Sequence, residues 1–304
     1  FNLFEEFDDI FFLMYTNGTL INETIAGKLA RLGNVVPLIS VEGYEAETDE
    51  RRGKGVHRKI REAMKNLKAA GVPFGVSVTA TAKNYNTLLT DDFYRYYFEE
   101  MGATHMWQFQ LMPIGKGKDL MEMMITPKQR TELYKKWEHV GRTLRYPLAD
   151  FWNSSSLCTG CLAYGRWNGY FYIDFDGKVS PCVFVPYYEE KIQDIYKRGG
   201  NLADAIQSGL FKNGRAWQKE QGFDRKDHQG EYLMTPCSIR DNYRNFRENI
   251  LTPDAKGMDK EAEEALQDEA YKKIMIEYDE ELKKLTDKIY ERKFQKSNVA
   301  AVSE

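Results

Sequence analysis

The feature that most constrains this chain is a fourfold alternation of short apolar runs with helix-patterned segments across its first half. Residues 10–15 form an apolar run that ends in the turn signal Thr16-Asn17-Gly18, and 23–32 carries Ile25, Leu29 and Leu32 on one helical face before Gly33. A second run, 35–41, precedes a helix at 58–70 with Ile60, Met64 and Leu67 at helical spacing. The Val- and Thr-rich run 74–81 precedes a helix at 91–101, opened by Asp91-Asp92 and closed by Gly102. The run 106–112 precedes a helix at 126–144, with Thr126 as cap and Pro127 in the first turn. Repeated strand-then-helix units require crossover connections, and therefore a parallel sheet, either a barrel or an open doubly wound sheet. In both architectures ligands collect at the carboxyl ends of the strands. Those ends carry Thr16-Asn17-Gly18, Ser40-Val41-Glu42-Gly43, Thr79-Ala80-Thr81 and Met112-Pro113-Ile114-Gly115, although ordinary turn chemistry accounts for any one of them singly.

From about Asp150 the texture changes to aromatic residues, glycine and cysteine. All four cysteines lie here: Cys158 and Cys161 in a C-x-x-C, then Cys182 and Cys237. Four soft thiolates can fill a tetrahedral metal site or hold an iron–sulfur cluster, and buried structural thiols are the bland alternative. Spacing alone leaves zinc and iron–sulfur near equal. Residues 169–179 read as a β-hairpin turning on Asp176-Gly177, and 202–217 as a helix. Beyond Pro253, Ile274, Tyr278, Leu282, Leu285 and Ile289 mark an amphipathic helix packed on the domain.

Net charge is −3 and the pI about 6.0, so no global basic field calls for nucleic acid or an anionic membrane. There is no apolar run of about eighteen residues to span a bilayer. With no secretory signal, the thiols are expected to be reduced or metal-bound in a cytoplasmic protein rather than bridged. The opening, Phe1-Asn2-Leu3-Phe4, reads as mid-helix, so the chain is expected to lack its beginning. His57, His105, His139 and His228 form no ligand pair at helical spacing. Gly115-Lys116-Gly117-Lys118 suggests phosphate contact no more strongly than an exposed loop, and Tyr94, Tyr96, Tyr97 and Phe98 read as a packed helix face.

Ile39-Ser40-Val41-Glu42-Gly43 followed by Asp49-Glu50-Arg51-Arg52-Gly53, with Thr16-Asn17-Gly18 before it and Val78-Thr79, Asn84 and Met112-Pro113-Ile114-Gly115 after it, resembles strands three to six of the radical SAM barrel over roughly residues 8–145. The resemblance implies that Ser40 donates its hydroxyl to the methionyl carboxylate of S-adenosylmethionine and that Arg52 pairs with the same group. A guanidinium fork suits a carboxylate. It also implies that Thr16 and Asn17 lie near the cofactor and that Met112 lies beside its adenine. The cysteine-rich part resembles the SPASM/twitch extension of that superfamily, with Gly177 to Cys182 as its signature. By that resemblance Cys158, Cys161, Cys182 and Cys237 hold one auxiliary [4Fe–4S] cluster, which moves the choice from zinc to iron–sulfur.

The chain contains no C-x-x-x-C-x-x-C triad, so the catalytic cluster is expected outside it, and Val183 stands where sulfatase-maturating relatives place an Asp base. The implied fold is α/β: a partial TIM-type barrel over 1–150, an α+β cysteine-rich domain over 151–250 and a charged helical extension over 251–304. The implied activity is radical modification of a peptide, protein or small molecule, with a flavodoxin or ferredoxin as electron donor. The competing class is a non-catalytic zinc- or iron–sulfur-stabilised scaffold that uses its C-terminal helix to bind a partner.

Overall fold

The computed structural model describes residues 1–152, 160–223 and 234–290. These fall into two compact units, one made of Phe1–Leu111 with Glu132–Phe151, the other of Met112–Thr131 with the described residues from Trp152 onward.

The first unit is built on a five-stranded, wholly parallel sheet of strands β1 (Phe12–Thr16), β2 (Val35–Val41), β3 (Gly75–Ala80), β4 (His105–Gln110) and β5 (Leu148–Asp150), ordered as in the sequence. The strand–helix alternation places the first four strands within two residues of their expected bounds. β2 and β3 sit between neighbours and are buried almost throughout, as apolar runs in a parallel sheet must be. The crossover helices are Glu23–Leu32, Val56–Ala69 and Asp91–Arg95, the last continuing through a π-turn at Tyr96–Glu100. The helix Pro127–His139 likewise ends in a π-turn, Val140–Leu144. The fifth strand has no counterpart in the sequence reading, because three residues with mixed polarity carry no period. What anchors it is tertiary: buried Asp150 accepts a 2.8 Å hydrogen bond from Gln108 Nε2 on β4.

β1 is an edge strand, and Leu13 and Tyr15 along it, with Phe11 just before it, remain exposed. Tyr15, Trp107, Phe109 and Phe151 meet on one face of the sheet, with ring centroids 5.4–6.0 Å apart along Tyr15–Phe109, Trp107–Phe109 and Phe109–Phe151. Tyr94 and Tyr97 are fully buried, as the reading of a packed helix face requires.

The second unit is α+β. The antiparallel pair β6 (Tyr172–Ile173) and β7 (Val179–Ser180) is the expected hairpin, turning at Gly177 with φ +79°. A second pair joins β8 (Tyr187–Tyr188) to β9 (Lys256–Gly257). The helix expected over 202–217 is two helices, Leu202–Ala205 and Gly209–Glu220. Each has its own start: Asn201 and Asp204 close a capping box at the first, and Glu189 takes the backbone N–H of Leu210 at the second (3.0 Å).

The helix Glu269–Tyr290 confirms the C-terminal amphipathic segment but corrects its face. Tyr271, Met275, Tyr278, Asp279, Leu282 and Thr286 are buried, whereas Ile274 and Leu285 are exposed. Two polar residues, Asp279 and Thr286, belong to the buried stripe, and a reading based on apolar side chains passes over them. No described helix is long and apolar enough to cross a membrane.

Candidate functional site

In the first unit the parallel register aligns the carboxyl ends of β1, β2 and β3, with Thr16 opposite Ile39 and Ser40 opposite Ser77. Thr16, Asn17 and Ser40 are therefore brought to one edge of the sheet. Thr16 and Asn17 are partly committed to the turn they form: Thr16 Oγ1 accepts from Gly18 N (3.1 Å), and Asn17 Oδ1 accepts from Thr19 N (3.1 Å) and Thr19 Oγ1 (2.9 Å). Ser40 is half-buried at the end of β2.

Arg52 meets a carboxylate of the chain itself. Its Nε and Nη2 donate to Glu42 Oε1 at 3.0 and 2.6 Å, while Arg51 Nη1 donates to Glu42 Oε2 at 2.5 Å. Glu42 is only 2% exposed, and two guanidinium groups compensate for burying its charge. Asn84 ties the same edge together. Its Nδ2 donates to Glu42 O (2.7 Å) and Thr79 O (2.9 Å), and its Oδ1 accepts from Thr81 N (2.7 Å). The sequence reading missed Glu42 as the anchor. The signal for it was an acidic residue at a strand end, followed by adjacent arginines one helix later.

Met112 lies in the second unit and is buried. Lys118, on the loop weighed for phosphate, is an ion-pair partner of Asp268 (2.8 Å). His57 is buried and its pKa is lowered, chiefly by desolvation. His139 approaches Asp91 at 3.0 Å, and His228 lies outside the described residues.

The cysteine site is built in the second unit. Cys158 lies outside the described residues, Cys161 is half-buried, and Cys182 and Cys237 are buried. Burial pushes the Cys182 thiol up to about 12 and the Cys237 thiol well above its usual range, and Cys161 raises both further. The three thiols thus share one electrostatic neighbourhood. Among the described residues, however, no three His, Cys, Asp or Glu side chains close on a common point as ligands of one metal ion.

Each thiol is held by local structure. Gln218 Nε2 donates to Cys161 O and Ala163 O, both at 3.0 Å. Tyr164, fully buried, hydrogen-bonds Ser238 Oγ at 2.7 Å, one residue beyond Cys237. At Cys182 the Sγ meets Tyr170 Oη at 2.8 Å and accepts from Phe184 N at 3.4 Å. The backbone N–H of Cys237 donates to Asp241 Oδ2 (3.2 Å), and Asn242 Nδ2 donates to Cys237 O (3.1 Å). Val183 is 48% exposed and offers no base.

This donor set suits a soft, cationic group. Thiols desolvated to this degree stay protonated in isolation, and a metal centre that displaces their protons turns the same burial into tight thiolate ligation. Hydrogen bonds to a ligand sulfur are characteristic of the outer shell of such a centre.

A parallel sheet with polar strand ends and a compact thiol-bearing unit can be compared with known proteins. Residues 2–88 match the model of the Radical SAM superfamily. Over those residues the chain is similar to a radical SAM domain. It is 26% identical over 254 residues to the AdoMet-dependent heme synthase of Methanosarcina barkeri, which covers 75% of this chain and 65% of that protein. It is 32% identical over 239 residues to the mycofactocin maturase MftC of Mycolicibacterium smegmatis, covering 75% and 56% respectively. The chain thus spans between about half and two thirds of the length of these relatives. Among solved structures, anSMEcpe with bound AdoMet and the Cp18Cys peptide superposes with a TM-score of 0.55 at 17% identity, over 90% of this chain and 74% of that one. SuiB of Streptococcus suis gives 0.55 at 13% identity, over 71% and 54%. At these identities the structural matches speak to the fold.

Proposed function

We propose that this chain forms the S-adenosylmethionine-binding sheet and the auxiliary-cluster unit of a radical SAM enzyme that modifies a peptide or protein. The observation that carries the reading is the pairing, in one chain, of a match to the Radical SAM superfamily model over residues 2–88 with a unit that holds Cys161, Cys182 and Cys237, the last two buried. The peptide held by the superposed anSMEcpe supports a peptide or protein substrate, and the heme synthase among the relatives makes a small molecule the alternative.

In this reading Ser40, Thr16 and Asn17 border the cofactor at the carboxyl edge of the sheet. The half-buried hydroxyl of Ser40 would donate to the methionyl carboxylate. Arg52 must exchange Glu42 for the methionyl carboxylate, or share itself between them, and its planar fork permits either. Met112 supplies apolar contact to the adenine. The aromatic face of Tyr15, Trp107, Phe109 and Phe151 excludes water where a radical would otherwise be quenched. Cys158, Cys161, Cys182 and Cys237 hold one auxiliary [4Fe–4S] cluster, which when bound supplies one-electron chemistry. Such a protein works in the reducing cytoplasm and draws electrons from a flavodoxin or ferredoxin.

Metal analysis of anaerobically purified protein tests the reading. About four irons per chain, with the brown colour of a [4Fe–4S] cluster, is the expected result. Colourless protein with stoichiometric zinc would replace the enzyme reading with that of a metal-stabilised scaffold.

A further inference from the structure

The loop that carries Cys161 also sets the position of a phenol. Tyr170 N donates to Leu162 O (2.9 Å), and Gly165 N donates back to Tyr170 O (3.1 Å). The connection between them is forced into a small space. Tyr164, Gly165 and Asn168 all have left-handed backbone, with φ of 67°, 60° and 57°. A Cβ on Gly169 would come within 2.4 Å of Leu162 O. This strained return places the Tyr170 hydroxyl 2.8 Å from Cys182 Sγ, closer than the Phe184 N–H, which reaches the same sulfur at 3.4 Å. A hydroxyl and a thiol can exchange donor and acceptor roles, but a cysteine ligated as thiolate has no proton to give. In the metal-bound state Tyr170 must be the donor.

We propose that Tyr170 is a positioning residue that sets the reduction potential of the auxiliary cluster through its hydrogen bond to Cys182. The inference rests on the auxiliary-cluster reading above. One-electron reduction adds a negative charge spread over the cluster and its ligand sulfurs. An O–H dipole aimed at one of those sulfurs stabilises the reduced form more than the oxidised form. The bond therefore raises the potential, and the electron passes more readily from an external reductant of the flavodoxin or ferredoxin class to the cluster, with no proton transferred. Tyr170 Oη is closer to this sulfur than Phe184 N, and the backbone that carries its ring is fixed on both sides by the 162–170 loop.

The test is a redox titration of anaerobically purified protein, with dithionite as reductant, followed by electron paramagnetic resonance of the reduced cluster. In Tyr170→Phe the iron content should stay at about four per chain. The ratio of reduced to oxidised cluster at a fixed potential should fall about tenfold, a shift of ~59 mV for a one-electron couple. Replacement of Tyr170 by difluorotyrosine, a more acidic phenol of nearly the same shape, should move the midpoint in the opposite direction. Unchanged midpoints in both variants with iron retained would overturn the role of Tyr170 and leave the cluster reading standing. Wild-type protein that carries zinc or no iron would overturn the cluster reading and this inference with it. Should Tyr170→Phe lose its iron, the difluorotyrosine protein decides alone: a positive shift supports the hydrogen bond and no shift refutes it.

Discussion

Arg130 and Asp241, 111 residues apart in sequence, close a two-pronged ion pair with exposures of 1% and 0%. Nη2 reaches Oδ2 at 2.9 Å and Nη1 reaches Oδ1, while the same Oδ2 accepts the backbone N–H of Cys237. The turn that presents Cys237 is thereby tied to Arg130, within the second unit, through one carboxylate. Deleting one partner of such a pair leaves an uncompensated buried charge, typically about 3–5 kcal/mol, whereas replacing both with apolar groups costs far less. Arg130→Met should therefore lower the urea midpoint strongly, and Arg130→Met/Asp241→Leu should recover part of the loss. A double variant no more stable than the single would show that the pair is not the source of the cost.

Asp279 makes stability depend on pH. Burial pushes its carboxyl up to about 8, with the nearby Asp241 carboxylate adding to the effect. Its Oδ2 accepts from Tyr243 N at 2.6 Å, while Oδ1 has no hydrogen-bond partner among the described residues. In the unfolded chain the same group titrates near ~3.9. Between these values the folded state holds a proton that the unfolded state has released, so Asp279 favours unfolding increasingly as pH rises from about 4 to about 8, and by a constant amount above that. Asp279→Asn should flatten this slope and gain stability relative to wild type toward pH 8, by a few kcal/mol at most on the order-of-magnitude scale of ~1.4 kcal/mol per unit. Denaturant midpoints at pH 5, 6.5 and 8 check it. Parallel curves for the two proteins would refute it.

The sheet was legible in the sequence because each strand is a run of apolar or β-branched residues closed by a turn residue, and burial on both faces demands such runs. Asn22, whose side chain accepts from Ile25 N, and Gly33, left-handed at φ 72°, bound the helix Glu23–Leu32 as local chemistry predicts. β5 was not legible, since Asp150 is held by Gln108 across the sheet rather than by any local pattern. The thiols were legible as a set from their softness and spacing. The groups that hold them were not: Gln218, Asp241 and Tyr170 act through individual side-chain hydrogen bonds that leave no periodic trace. Arg52 marks the boundary case. Its motif was readable, but the identity of the carboxylate it meets in this structure, Glu42, required coordinates.

Gly214 reverses the usual helix rule. In a helix interior Gly→Ala ordinarily stabilises by about 1 kcal/mol. Here a Cβ at 214 would fall 2.0 Å from the ring of buried Tyr164, whose hydroxyl bonds Ser238 beside Cys237. Gly214→Ala should instead destabilise by about 1–3 kcal/mol, the range for overpacking, and reduce metal retention by displacing Tyr164. Thermal unfolding with metal analysis before and after dialysis would register both. A rise in Tm would show that the ring can move aside.

The assignment of Arg52 to the cofactor can be separated from its structural duty. Glu42 is held by two arginines, and Arg52→Ala leaves Arg51 Nη1 on Oε2 at 2.5 Å. Both guanidinium groups are partly exposed, so solvent takes up some of the lost interaction and the stability cost should be modest. A hydrogen bond to a charged group contributes about 1.5–3 kcal/mol, so loss of Arg52 from the methionyl carboxylate should weaken S-adenosylmethionine binding roughly tenfold to a hundredfold. Arg52→Lys should restore little, because an ammonium cannot reproduce the two-pronged geometry. Ser40→Ala should weaken binding as well, without disturbing Glu42. Equilibrium dialysis against labelled S-adenosylmethionine measures all three. If Arg52→Ala lowers only the unfolding midpoint and leaves affinity intact, Arg52 serves Glu42 alone, and Ser40 would have to orient the carboxylate with other donors at the sheet edge.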